Sequence, residues 1–171
     1  DAAPPAAKRM LESFNRFLRA SPAATRTEST TLGADEALIG AYLEVLQVRM
    51  GRRLEWRIDV PEELAGYALP PMLLQPVVEN AIRHGIGQRA SGGLIRIRAF
   101  READSLHIEV HDEGPGFTQD NATAGTGLGL ANTRARLRQL YGDAAELRTA
   151  SRAGGGALVT LVLPFHFAET T

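Results

Sequence analysis

Residues 105–117 read SLHIEVHDEGPGF, and the alternation inside them decides the architecture. Side chains of an extended segment point to opposite faces in turn, so Leu106, Ile108 and Val110 share one face and Asp112 ends that apolar stripe. Just upstream, GLIRIRAF at 93–100 puts Ile95, Ile97 and Ala99 on one face in the same way. So short a connection joins the two runs as an antiparallel hairpin. A hairpin between the middle strands, with long helices elsewhere, predicts an α/β two-layer sandwich. Its sheet is mixed and mostly antiparallel, with helices on one face, and is not doubly wound.

The flanking segments supply the other layer. ADEALIGAYLEVLQVRMG at 34–51 predicts a helix with Asp35 as N-cap and Gly51 as its stop. A strand is expected at 54–60, LEWRIDV, and the next helix begins near Pro71, since proline suits a first turn, and runs to Gly85. On a helical wheel Leu74, Val77, Val78, Ala81 and Ile82 form its apolar side. After a glycine-rich loop at 114–127 comes a helix at 128–141, with Leu130, Leu137 and Leu140 or Tyr141 on one side. AELRTAS at 145–151 and GALVTLVLPF at 156–165 read as closing strands. At the other end, AAKRMLESFNRFLR at 6–19 carries Met10, Phe14, Phe17 and Leu18 at helical spacing, a stripe that needs a partner. Residues 20–34, rich in Ser, Thr, Ala, Pro and Gly, read as a linker, which leaves 35–171 as the main domain.

Composition removes several function classes. A formal net charge of -1 takes away the usual electrostatic reason to expect nucleic acid or an acidic membrane as partner. With no cysteine there is no disulfide, thiolate metal site or cysteine nucleophile, and a reducing compartment is compatible. No apolar run reaches the roughly 20 residues that span a bilayer, and DAAPPAAKRM has no signal-peptide core. The first residue is not methionine, so the chain reads as a piece of something longer, with room for a membrane segment outside it; the expected setting is a cytoplasmic domain, a membrane-anchored receptor among the options. Of 19 basic residues only Lys8 is a lysine, and it lies in AAKRM. A phosphate-binding P-loop and a eukaryotic-type protein kinase both need a lysine elsewhere. The dinucleotide fingerprint fails too: after Gly125 and Gly127 its third glycine would fall on Leu130.

Three clusters remain that can carry chemistry. Asn80, Arg83 and His84 gather on one side of the helix near residue 80. An amide oxygen can complete a Mg²⁺ shell and a guanidinium offers forked donors to phosphate, although polar helix faces are also common where nothing binds. Asp112 is a carboxylate at the end of an apolar stripe, which is costly unless it meets donors; an adenine amino group is one, and a strand-end turn is the structural alternative. Gly114 and Gly116 behind it let backbone approach a flat ring, or simply make turns. Gly125, Gly127 and Gly129 precede a helix whose first amides are unsatisfied, an arrangement that attracts phosphate. The loop at 117–126, with Thr118, Asn121, Thr123 and Thr126, would form a mobile flap over the ligand.

In order, ENAIRHG, DEGPGF and GTGLGLANTRARL resemble the N box and two glycine boxes of the histidine-kinase and gyrase-type ATP-binding fold, also called the Bergerat-type fold. The longer stretches LPPMLLQPVVENAIRHGI and GGGALVTLVLPF look closest to LytS-type sensor histidine kinases, with the likeness running over 30–165 and more faintly over 6–19. The resemblance implies ATP and Mg²⁺ as ligands. By it Asn80 would hold Mg²⁺, Arg83 and His84 would contact phosphate, and Asp112 would accept the adenine amino hydrogen. Gly114 and Gly116 would floor the base pocket. Thr126, Gly127, Leu128 and Gly129 would meet the phosphates, and Thr160 would lie near the adenine. The activity implied is transfer of the γ-phosphoryl group to a histidine on an upstream helical domain. Residues 1–19 would be the tail of that domain, which forms a homodimer, and the partner would be a response regulator, LytTR-type by resemblance.

The sequence also departs from the wider superfamily. ATP-hydrolysing cousins place a general-base glutamate four residues before the asparagine, where this chain has Pro76, so self-sufficient hydrolysis is not expected. None of His84, His107, His111 and His166 sits in a motif similar to the family's acceptor, N-P-H-F-L-F-N, so the chain is expected to lack its own phosphate acceptor. An anti-sigma-type serine kinase and a non-enzymatic binding module of the same fold are the alternative readings.

Overall fold

The computed structural model describes Pro5, residues 29–117 and residues 126–165, the side chains of Thr126, Gly127 and Leu128 excepted. The stripe at 6–19, most of the linker, the flap at 118–125 and His166 lie outside the described residues.

A short strand β1, Thr30–Thr31, runs into helix α1, Leu32–Met50. Thr31, not Asp35, is the N-cap: its hydroxyl accepts from the Ala34 amide at 3.2 Å. Gly51, at φ 58, stops the helix as expected. Strand β2, Leu54–Asp59, is followed by β3, Ala68–Leu69, which pairs antiparallel with β1. Helix α2 begins at Gln75 rather than near Pro71, because the turn before it takes Met72 through φ 55, which no helix accommodates. It spans Gln75–Asn80 and widens into a π turn at Ala81–Gly85. Then come β4, Gly93–Glu102, and β5, Ser105–Asp112; α3, Thr126–Tyr141, two residues longer at its start than expected; and β6, Glu146–Ser151, with β7, Ala157–Pro164.

The main sheet has five strands in the order β2-β4-β5-β7-β6. β2 runs parallel to β4, since the connection between them contains α2, and the remaining pairs are antiparallel. This is the mixed, mostly antiparallel sheet that the hairpin predicted. Ile95, Ile97, Ala99, Leu106, Ile108, Val110, Val159, Leu161 and Leu163 are buried on one face. They share a core with Leu32, Ile39 and Leu43 of α1, Val77, Val78 and Ala81 of α2, and Leu130 and Leu137 of α3. Of the two options for the end of α3, Tyr141 packs on the core and Leu140 stays 54% exposed. The opposite face alternates exposed Arg96 and Arg98 with the buried positions of β4.

Asp35, displaced from the N-cap role, ties the layers together. It is buried, and its Oδ2 accepts from the Leu74 amide at 3.2 Å, with the amides of Met72 and Leu73 also directed to it. Arg136 of α3 completes the junction by donating to the Pro71 carbonyl at 2.7 Å. That contact assigns Arg136 to the turn before α2. Among the described residues Arg134 reaches only the Leu147 carbonyl, at 3.5 Å.

Candidate functional site

The end of β5 meets the end of the π turn, and glycine makes the meeting feasible. A Cβ on Gly85 would stand 2.5 Å from Asp112 Cγ, and one on Gly114 would stand 2.3 Å from Gly85 Cα. Any side chain at either position would collide with Asp112 or with backbone. Gly85 was legible only as a helix stop; its packing role depends on a contact with β5 that local sequence does not show. Gly116 holds φ 83, a left-handed conformation that glycine adopts without cost, and carries the chain out of the corner.

Within this corner the Asp112 carboxylate is 3% exposed. Its Oδ1 accepts from the Gly114 amide at 2.8 Å. Burial pushes its pKa up, while the amides of Gly114 and Ala157 pull it back towards the ionised form. The carboxylate that ends the apolar stripe therefore faces the helical layer, against the segment carrying the N-box side chains.

Those side chains stand along α2 and its π turn. Asn80 and His84 are half-buried and Arg83 is exposed, while Ala81, Gly85 and Ile86 pack inward. Asn80 makes no side-chain hydrogen bond with any described residue, which leaves its amide oxygen available. Burial, then the adjacent Arg83 charge, lowers the His84 pKa, so the imidazole is neutral near pH 7 and keeps one N–H to donate. Glu79 accepts from Gln75 Nε2 at 3.2 Å one turn earlier, and Pro76 occupies the first turn of α2. A π turn adds a residue to one turn of helix, a distortion frequent at functional sites.

The third cluster lies at the start of α3. The helix opens at Thr126, so the backbone amides of Thr126, Gly127 and Leu128 in its first turn have no intrahelical partner. A Cβ at Gly129 would meet nothing within 4 Å, so glycine there answers to no packing demand among the described residues. The flap that would join this cluster to the corner is anchored at its start: the Phe117 amide donates to Ser151 Oγ at 2.9 Å, and Ser151 donates back to the Phe117 carbonyl at 3.1 Å.

One expected member stands elsewhere. Thr160 pairs with Glu109, whereas Asp112 pairs with Ala157. With a side-chain period of two, Thr160 projects from the sheet face opposite Asp112 and is not brought to the corner. Ala157 is the β7 residue beside the carboxylate.

These boxes, on this sheet, define an ATP-binding module, and comparison with known proteins agrees. Residues 71–166 match the model of the histidine kinase-, DNA gyrase B- and HSP90-like ATPases, and the chain belongs to that family. Within it the chain is homologous to sensor histidine kinases. It is 36% identical to BtsS of Escherichia coli (strain K12) over 140 residues, covering 82% of this chain and 25% of that protein. It is 30% identical to the sensor histidine kinase/phosphatase LytS of Staphylococcus aureus (strain MRSA252) over 174 residues, covering 95% of this chain and 30% of that protein. The chain thus spans well under half of each of these relatives. The catalytic domain of histidine kinase ThkA superposes with a TM-score of 0.62 over 82% of this chain and 97% of that one, at 15% identity, a likeness of fold. No helix among the described residues is long and apolar enough to cross a membrane.

Proposed function

We propose that the chain binds Mg·ATP in the cleft between the Asp112 corner, α2 and the start of α3, and presents the γ-phosphoryl group to a histidine on another domain of the full-length protein. The observation that carries this reading is the Asp112 carboxylate, buried at the end of β5 in a glycine-walled corner and packed against Gly85 of the N-box segment. An adenine amino group supplies the donor that such a carboxylate selects for. Asn80 offers one amide oxygen to Mg²⁺, with phosphate oxygens and water completing the shell; the ion would neutralise charge on the phosphates. Arg83 and neutral His84 donate to phosphate oxygens, and the amides of Thr126, Gly127 and Leu128 face the phosphates with the positive end of the helix dipole.

Phosphoryl transfer asks for positioning and charge neutralisation more than for covalent chemistry by the protein. In the proposed reaction the bond between the γ-phosphorus and its bridging oxygen breaks as one forms to an imidazole nitrogen, and ADP leaves. With Pro76 where a general base would stand, water is not activated in its place. Homology to LytS and BtsS supports a two-component setting. A response regulator, LytTR-type by resemblance, and a homodimer built through the segment at 1–19 complete the proposal.

Calorimetric titration of the chain with ATP, with and without Mg²⁺ and with GTP as control, tests the reading. The expected outcome is adenine-selective binding, strengthened by Mg²⁺, with the Mg²⁺ increment lost in Asn80→Ala. Equal affinity for GTP, or an unchanged Mg²⁺ increment in that variant, would overturn it.

A further inference from the structure

The sheet face turned away from the helices carries a concentration of charge that nucleotide binding does not use. Strand register sets Arg57, Arg96 and His111 in one row across β2, β4 and β5, and Asp59, Arg98 and Glu109 in the next. Joined by Arg152 from the β6–β7 turn and by Leu158, the residues Arg96, Arg98, Glu109 and His111 line an open cavity of about 290 Å³. Within it Arg98 is committed to Glu109, with Nε 2.6 Å from Oε2. Arg152 Nη1 lies 2.8 Å from His111 Nε2, which accepts from it. Arg96 makes no hydrogen bond or ion pair with any described residue.

Among the lining residues three guanidinium groups face a single carboxylate, with Asp59 acting on Arg98 and Glu113 acting on His111 from the surroundings. His111 adds no further positive charge: burial, then Arg152 and Arg96, lower its pKa against the opposing pull of Glu113 and Glu109. We propose that this cavity binds a doubly charged phosphate group, either inorganic phosphate or the phosphoryl end of a phosphomonoester. The forked donors of Arg96 and Arg152 suit the tetrahedral oxygens of a phosphate. The cavity is larger than a bare phosphate, near the roughly 300 Å³ at which small-molecule pockets begin, and Leu158 gives an ester group an apolar surface. The site shares backbone with the nucleotide corner but opens on the other face: His111 directly precedes Asp112, and Arg152 directly follows Ser151, which holds Phe117. It does not depend on the nucleotide reading.

The test is long-range proton–nitrogen NMR of the histidine rings in the labelled chain at neutral pH, titrated with inorganic phosphate and, separately, with phenyl phosphate. His84, on the other face, reports independently on anions bound at the α2 cluster. The expected result is a saturable displacement of the His111 resonances, weakened about tenfold or more in Arg96→Gln and in Arg152→Gln, each of which removes charge-assisted hydrogen bonds. Tighter binding of phenyl phosphate identifies a phosphomonoester as the ligand, and equal or weaker binding identifies free phosphate; both uphold the site. Three results would overturn it: no saturable shift at His111, a shift that sodium chloride at the same ionic strength reproduces, or a shift retained by the doubly substituted chain with its native circular dichroism.

Discussion

Asp35 and Asp112 are both aspartates with almost no exposed surface, 1% and 3%, and burial raises the pKa of each. Their surroundings differ in kind. Asp35 is enclosed by the fold: the amides of Met72, Leu73 and Leu74 converge on it from the turn before α2, and Arg136 of α3 stands near. Asp112 is walled by Gly85 and Gly114, residues with no side chain to offer, and it terminates a strand beside the N box. One carboxylate brackets the architecture; the other, held by the Gly114 amide, stands at a strand end with glycine rather than side chains around it, and in the proposed reading an adenine amino group is its further donor. Burial and a raised pKa alone do not tell the two apart; the kind of neighbour does.

Removing Asp112 should produce the largest effect and break the comparison most directly. A site built to receive a hydrogen bond loses most of its discrimination when the acceptor goes. Asp112→Ala is expected to weaken ATP binding by about a hundredfold, near the upper range for one charged hydrogen bond, and to erase the preference over GTP. Thermal unfolding should change little, because a desolvated carboxylate is removed along with its bond. Calorimetry and a melting curve on the same preparation decide the matter: unchanged ATP affinity with a large loss of stability would place Asp112 in the same class as Asp35.

For Asp35 the expected signature is in stability against pH. Its pKa is pushed from 3.8 to about 6, mainly by burial, so the folded state holds this proton more tightly than the unfolded chain does. Below the unfolded value both states are protonated and the carboxyl carries no penalty. As pH rises through about 6 the folded group must ionise without water, and the stability it retained at low pH is lost, on the order of 3 kcal/mol for a shift of this size. The unfolding free energy of the wild type minus that of Asp35→Asn should therefore rise as pH falls through about 6 and level off below about 4. A difference that stays flat from neutral to acid pH would remove the bracket from the account. ATP affinity at neutral pH should be nearly the same in both proteins.

The same pair explains what was legible in the sequence. Asp112 could be read because its information is local: alternation along β5 fixes its face, and the glycines follow within four residues. Asp35 was misread because an aspartate ahead of an apolar helical run satisfies the N-cap pattern, while its partners lie nearly forty residues further on. The delayed start of α2 has a similar origin, since Pro71 fits a first turn and nothing local announces the positive φ of Met72. Gly85 looked like a stop because its packing against Asp112 is a tertiary contact. The sheet, its hairpin and the N box, by contrast, rest on periodicity that survives folding.

Thr160 should give the smallest effect, and it tests whether the two faces of the sheet are separate. Strand β7 reads ALVTLVLP, apolar on both faces, so alternation gave no sign of which way the threonine turns; its pairing with Glu109, three residues from Asp112 and so on the opposite face, settles it. On the outer face its hydroxyl makes no hydrogen bond with a described residue. Thr160→Val keeps the branched shape suited to a strand and replaces the hydroxyl by a methyl group, so stability should move by no more than about 0.5 kcal/mol. ATP affinity should match the wild type within the error of calorimetry. If the variant instead lost adenine selectivity, a residue on the far side of β7 would be acting on the base, and the division between an inner nucleotide face and an outer anion face would fail.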